Sequence, residues 1–175
     1  RFGVLTSFVE GEDLRKNSGV ASVRNYGKAI AQIHLLLDEF PKPFIRPCND
    51  SGFIIDRMLL ALENAIGDRR DLIKRLQNSA SVLRGKMDSL PRSGAGYGLV
   101  HGDVIRANAI VDSASLVTVL DFDLCGLGWR AYDIATYFTV VQSTPDKNEL
   151  RDAFLQGYEE VRRLSGTELE TLPLF

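Results

Sequence analysis

Three short apolar runs, Tyr97–Val100, Ala109–Val111 and Leu116–Leu120, interrupt a chain whose other apolar residues recur at helical spacing. The second and third are joined by Asp112-Ser-Ala-Ser115, a turn-forming stretch, and together read as a β-hairpin. Upstream, Val23, Tyr26, Ile30, Ile33 and Leu37 fall on one helical face, which predicts a helix from Val20 to Phe40. Ser22 is its candidate N-cap and Pro41 its stop. A second helix is predicted over Ile54–Ile66, ended by Gly67. A third is predicted over Asp68–Ser89, with Leu72, Ile73, Leu76, Ala80, Leu83 and Met87 along one side. The segments Pro41–Gly52 and Pro91–Gly96 carry the Pro, Gly, Asn and Asp of loops. After Gly126 and Gly128, helical spacing returns over Arg130–Gln142 and Lys147–Leu164. Long helices around a small hairpin predict an α+β, mostly helical domain.

The 175 residues suffice for one domain with a real core, and the composition, 45% hydrophobic and 25% charged, is that of a globular protein. A net charge of −2 gives no electrostatic case for nucleic acid or an anionic membrane as the main partner. No apolar run approaches the roughly 18 to 20 residues that span a bilayer. Cys48 and Cys125 stand far apart and outside any CxxC spacing, which argues for a reducing, cytoplasmic setting over a disulfide framework or zinc site. The chain opens on strand-type residues, Phe2, Val4 and Leu5 leading into Thr6–Val9, and Glu10-Gly-Glu-Asp13 is expected to turn it. It has no initiator Met and closes on apolar Leu169, Leu172, Leu174 and Phe175, features expected of a piece of a longer protein.

Chemistry-bearing residues gather in one stretch. His101-Gly-Asp103-Val-Ile-Arg-Ala-Asn108 precedes the hairpin, and Asp121-Phe-Asp123 follows it. In pattern terms this is H-x-D-x-x-x-x-N and, one hairpin later, D-F-x, the arrangement of the catalytic loop and metal-binding segment of protein-kinase-like enzymes. Phosphoryl transfer needs one carboxylate to orient a hydroxyl, and a second carboxylate with an amide to hold Mg²⁺ against the triphosphate. Two short strands between Asn108 and Asp121 bring those oxygens back to one edge, and hard oxygen donors suit Mg²⁺ better than zinc.

His101-Gly-Asp103, Asn108, Asp121-Phe-Asp123 and Tyr132-Asp-Ile-Ala135 resemble the aminoglycoside phosphotransferase and choline kinase superfamily of small-molecule kinases. Val4–Gly11 resembles that family's inter-lobe hinge, and Gly27–His34 the helix that follows it, so the resemblance covers nearly the whole chain. It implies a hinge remnant over residues 1–12 and a kinase-like C-terminal lobe over 13–175, with ATP and Mg²⁺ as cofactors and a small-molecule hydroxyl as acceptor. Asp103 would accept or orient the hydroxyl proton, and Asn108 and Asp121 would hold the metal. The backbone of Ser7 and Val9 would meet the adenine edge, with Ile110 and Leu120 lining the apolar slot. His101 would pack beneath the loop, and Asp133 would brace it by accepting hydrogen bonds. Asp123 stands where protein kinases have glycine, and could meet metal, substrate or only a neighbouring amide.

The Gly-rich phosphate loop and phosphate-binding Lys that such an enzyme places before the hinge have no counterpart here. Gly94-Ala-Gly-Tyr-Gly98 lacks the G-x-G-x-x-G spacing and opens no helix. The expectation is therefore a lobe without its nucleotide-covering partner, inactive alone and able to self-associate through apolar surface near Phe2 and Leu120. Structural roles suit His34 in mid-helix, and Trp129, Tyr132, Tyr137 and Phe138 in the core; Arg69, Arg70, Lys74 and Arg75 read as a solvated helix face. Cys125 has no flanking cation to make its thiol reactive. Two other functions stand beside the kinase reading. Asp121-Phe-Asp123 also resembles the D-x-D of haloacid-dehalogenase-type phosphatases, which would need a parallel βαβ sheet and leaves His101, Asp103 and Asn108 unexplained. The other is a non-catalytic kinase-like binding module.

Overall fold

The computed structural model describes residues 7–40 and 48–175. The strand-type start at Phe2, Val4 and Leu5 and the Pro41 stop lie outside them. Strand β1 (Glu12–Asp13) leads into helix α1 (Val20–Glu39), and β2 (Cys48–Asn49) precedes a π-helical turn, Gly52–Asp56. Helices α2 (Arg57–Ile66) and α3 (Arg70–Asp88) follow. The second half runs through β3 (Tyr97–Val100), a 3-10 turn (Arg106–Asn108), β4 (Ala109–Val111), β5 (Val117–Val119) and β6 (Gly126–Trp129). It closes with α4 (Arg130–Val141), α5 (Lys147–Glu159) and α6 (Gly166–Thr171).

The main core lies where α1, α4 and α5 meet. Val23, Tyr26, Ile30 and Ala31 of α1 pack with Ile134, Tyr137 and Val141 of α4 and with Leu150, Ala153, Phe154 and Tyr158 of α5. Each large apolar side chain buried there is worth about 1.5–3 kcal/mol. The Tyr137 and Phe154 rings stack with centroids 4.3 Å apart, and Tyr26 meets both edge-on. Two glycines let α1 and α5 cross at backbone distance. A β-carbon on Gly27 would collide with the Phe154 carbonyl, and one on Gly157 with the Arg24 carbonyl. A second cluster joins Ile55, Met87 and Trp129, with Ala80, Leu83 and Phe175 against it.

Two small sheets carry the loops. One has the order β1-β4-β5, antiparallel throughout, with Ile110 opposite both Asp13 and Thr118. The other has the order β2-β6-β3, β2 parallel to β6 and β3 antiparallel. β3 runs directly into His101, and β5 ends one residue before Leu120.

The structure corrects several local expectations. Glu10–Asp13 is not simply a turn: Glu12 and Asp13 pair with Val111 and Ile110. Gly11 (φ 138°) permits this, since a β-carbon there would lie 2.5 Å from the Val111 carbonyl oxygen. Ser22 is no N-cap, because α1 starts two residues earlier behind Gly19 and the buried Ser22 hydroxyl donates to Asn17 Oδ1 at 3.3 Å. The helix expected at Ile54 begins as the π-helical turn at Gly52, steered by Asp50, whose carboxylate accepts the Phe53 N–H at 3.0 Å. The third helix opens at Arg70 rather than Asp68, and Leu72 is exposed while Met87 is buried, since only the C-terminal half of α3 meets the core. The helix from Lys147 stops at Glu159, and α6 restarts behind a capping box of Ser165 and Glu168. Finally, Gly126–Trp129 is a strand, held between β2 and β3 by its neighbours despite two glycines.

Candidate active site

A buried histidine follows β3 directly. His101 donates its backbone N–H to Asp133 Oδ2 at 2.8 Å, and Gly102 donates its own to Asp133 Oδ1 at 2.8 Å. The Asp103 N–H reaches His101 Nδ1 at 3.2 Å, so Nδ1 is the acceptor and Nε2–H donates to the Leu120 carbonyl at 2.9 Å. One imidazole thus ties the start of this loop to the residue before Asp121. Its ring also packs on Phe122, with centroids 4.6 Å apart.

The loop closes on itself through Asn108. Its amide nitrogen donates to Asp103 Oδ2 at 2.8 Å and to the Asp103 carbonyl at 3.0 Å. That leaves Asn108 Oδ1 outside both bonds. The Asn108 carbonyl accepts the Leu120 N–H at 2.8 Å, a second tie between this loop and the approach to Asp121. Tyr26 Oη supports the loop from below by donating to the Ile105 carbonyl at 3.1 Å. Asp121 is exposed and sits at φ 63°, a left-handed conformation outside the turn glycines, and its Oδ1 accepts the Asp123 N–H at 3.3 Å. Asp103 is half-buried, and Asp123 is exposed.

The structure therefore brings Asp103, Asn108 and the approach to Asp121 together. Ile110 and Leu120 lie on and just after the hairpin, half-buried and exposed in turn. Ser7 is exposed and Val9 half-buried, a few residues before the β1–β4 pairing. Among the described residues, no three His, Cys, Asp or Glu side chains converge as a metal cage. Asn108 Oδ1 and the Asp121 carboxylate are nonetheless hard oxygen donors, and Mg²⁺ is commonly held by one or two such groups plus phosphate oxygens.

Asp133 is the hub beneath the loop. Besides the two N–H groups it accepts His34 Nε2–H at 2.9 Å, all with no exposure. Burial pulls the His34 pKa down, outweighing the pull of the Asp133 carboxylate. The neutral ring accepts the Tyr158 hydroxyl at Nδ1, 2.7 Å away. Burial pushes the Tyr158 phenol up to about 12, and the same oxygen accepts Arg162 Nη1–H at 3.1 Å. Arg162 also pairs with Glu168 at 2.9 Å, so buried polar contacts run from the loop to the cap of α6. Arg130, fully buried, pairs with Asp38 and donates to the Leu99 carbonyl at 2.9 Å. Neither Arg130 nor the Tyr158–Arg162 extension carries a motif. The capping box Ser165-x-x-Glu168 does, and was readable in principle.

The family model of the APH phosphotransferase enzyme family matches residues 2–169, and the chain belongs to that family. It is 32% identical over 175 residues to an uncharacterized protein of Deinococcus radiodurans, covering 98% of this chain and 50% of that protein. It is 30% identical over 179 residues to a homoserine kinase of Methylobacterium radiotolerans, covering 99% and 53%. The chain thus spans about half the length of the curated relatives it matches. Its fold is similar to that of the amicoumacin kinase hAmiN, solved in complex with AMP-PNP, Ca²⁺ and Ami (TM-score 0.77, 20% identity, 96% of this chain and 52% of that one). It is also similar to a microcompartment-associated aminopropanol kinase (TM-score 0.71, 26% identity, 89% and 50%). The α+β, mostly helical architecture is that of a kinase-like lobe of this family.

Proposed function

We propose that this chain supplies the base and metal ligands of an ATP-dependent phosphotransferase that moves the γ-phosphoryl group to a hydroxyl of a small molecule. The observation that carries the reading is the clamp of Asn108 on Asp103, tied by His101 to the backbone leading into Asp121. Asp103 accepts or orients the acceptor hydroxyl proton. Its carboxylate is aimed by the Asn108 amide, and its backbone by His101. Asn108 Oδ1 and Asp121 hold Mg²⁺, which when bound neutralises phosphate charge. The left-handed backbone at Asp121 supports this role, since strain of that kind collects at functional positions. Ser7 and Val9 offer backbone groups to the adenine edge, and Ile110 and Leu120 line its slot. Asp123 keeps its exposed carboxylate for metal or acceptor, while its N–H already serves Asp121.

Relatives named for homoserine and aminopropanol point to acceptors that carry an amine beside the hydroxyl. The phosphatase alternative lacks its scaffold: the described residues after Asp121 form one strand and then helices. A non-catalytic module has no physical use for this clamp beside Asp121. The test is ATP consumption by the complete protein with a panel of amino alcohols and hydroxy amino acids, with and without Mg²⁺. Acceptor-dependent, Mg²⁺-dependent turnover supports the reading. MgATP binding without turnover on any hydroxyl compound favours the binding module.

A further inference from the structure

We propose that Asn49 is a positioning residue of this site, whose side-chain amide fixes the Asp121-bearing segment against the His101–Asn108 loop. Its kinetic consequence rests on the phosphotransferase reading; its structural consequence does not.

Asn49 lies on β2, far from both segments in sequence, and is fully buried. Its Nδ2 donates to the Leu124 carbonyl at 3.1 Å. That carbonyl belongs to the chain leaving Asp121, where the Cys125 N–H bonds back to the Phe122 carbonyl at 3.0 Å. The same Leu124 carbonyl lies close against Gly102. A β-carbon on Gly102 would collide with this oxygen, and Gly102 sits at φ 85° with its N–H held by Asp133. The Leu124 carbonyl is therefore bonded to the Asn49 amide and packed close to the backbone next to Asp103.

Asn49 is itself held in place. Gly128 lies opposite it on β6, where a β-carbon would come within 3.1 Å of Asn49 Cβ and 3.0 Å of Val100 Cγ2. Among the described residues, the buried Oδ1 of Asn49 has no hydrogen-bond partner. An unsatisfied buried polar atom is costly, and leucine would fill a similar volume without it. What the amide supplies and leucine cannot is the directional bond to Leu124. Nothing in the sequence marks Asn49, which reads as one more loop asparagine.

The consequence is geometric. Losing the Asn49 bond frees the Leu124 carbonyl to slide over Gly102, which shifts Asp121 relative to Asp103. Misplacement on the order of 1 Å costs about 10²-fold in rate. The test uses Asn49→Leu, with Gly128→Ala as a second variant that displaces the same amide through another residue, both in the complete protein. Amide exchange around Gly102–Asp103 and Leu124–Cys125 should quicken in both variants. In Asn49→Leu, kcat should fall by roughly 10- to 100-fold and the Mg²⁺ requirement should rise, while acceptor KM stays within about twofold. Wild-type exchange at those segments in both variants, or an unchanged kcat and Mg²⁺ requirement, would overturn the proposal. If the wild-type protein consumes no ATP, that counts against the phosphotransferase reading alone, and the exchange rates still decide the role of Asn49.

Discussion

Two carboxylate oxygens of Asp133 satisfy three buried donors, from His101, Gly102 and His34. Asp133→Ala strands all three and should destabilise the protein by about 3 kcal/mol or more, read from a denaturant midpoint. A change under about 0.5 kcal/mol, the level of a surface substitution, would contradict the hub. His34 adds a pH dependence of known sign. Burial depresses its folded pKa below the ordinary 6.5, so the unfolded chain takes up the proton first. Its contribution is full above pH 6.5 and fades as pH falls through that value. The stability gap between wild type and His34→Gln should thus be wider at about pH 7.5 than at about pH 5; a constant gap in thermal melts would contradict it. Asp121→Ala should remove Mg²⁺-dependent nucleotide binding and turnover together, and calorimetric titration with MgATP checks it. The loop residues were legible because H-x-D-x-x-x-x-N and D-F-x are local patterns. Asn49, Arg130, Tyr158 and Arg162 were not, because each acts on residues distant in the chain, and a lone polar residue has no period to betray it.

At the scale of elements, period decided what could be read. α1 and α4 carry apolar residues at helical spacing, and both start where that spacing places them and end one residue sooner. β1 and β2, each of two residues, and the glycine-rich β6 exist only because neighbouring strands pair with them. No propensity forecasts such strands. The crossing of α1 and α5 was equally hidden, since Gly27 and Gly157 look like helix weaknesses until the helices are seen in backbone contact. Gly157→Ala should therefore destabilise by about 1–3 kcal/mol, although alanine is the better helix former. A stabilised Gly157→Ala variant in equilibrium unfolding would mean that the helices do not meet this closely.

For the whole molecule, exposed apolar side chains lie both about the hairpin, where Phe8 is 89% exposed and Leu116 67%, and on the long helices, where Leu36, Leu60 and Val82 are each over 60% exposed. The family relatives are about twice as long. Residues 1–175 alone should consume no MgATP at a measurable rate, because positioning of the β- and γ-phosphates would rest on this lobe and Mg²⁺ alone. They should also self-associate with rising concentration in sedimentation. Turnover by this chain by itself would contradict that division of labour. The role of Asp103 is tested by setting MgATP affinity beside acceptor-dependent turnover for Asp103→Asn in the complete protein. Affinity should stay within about twofold of wild type while turnover falls by roughly 10² to 10⁴. Unchanged turnover would contradict that role.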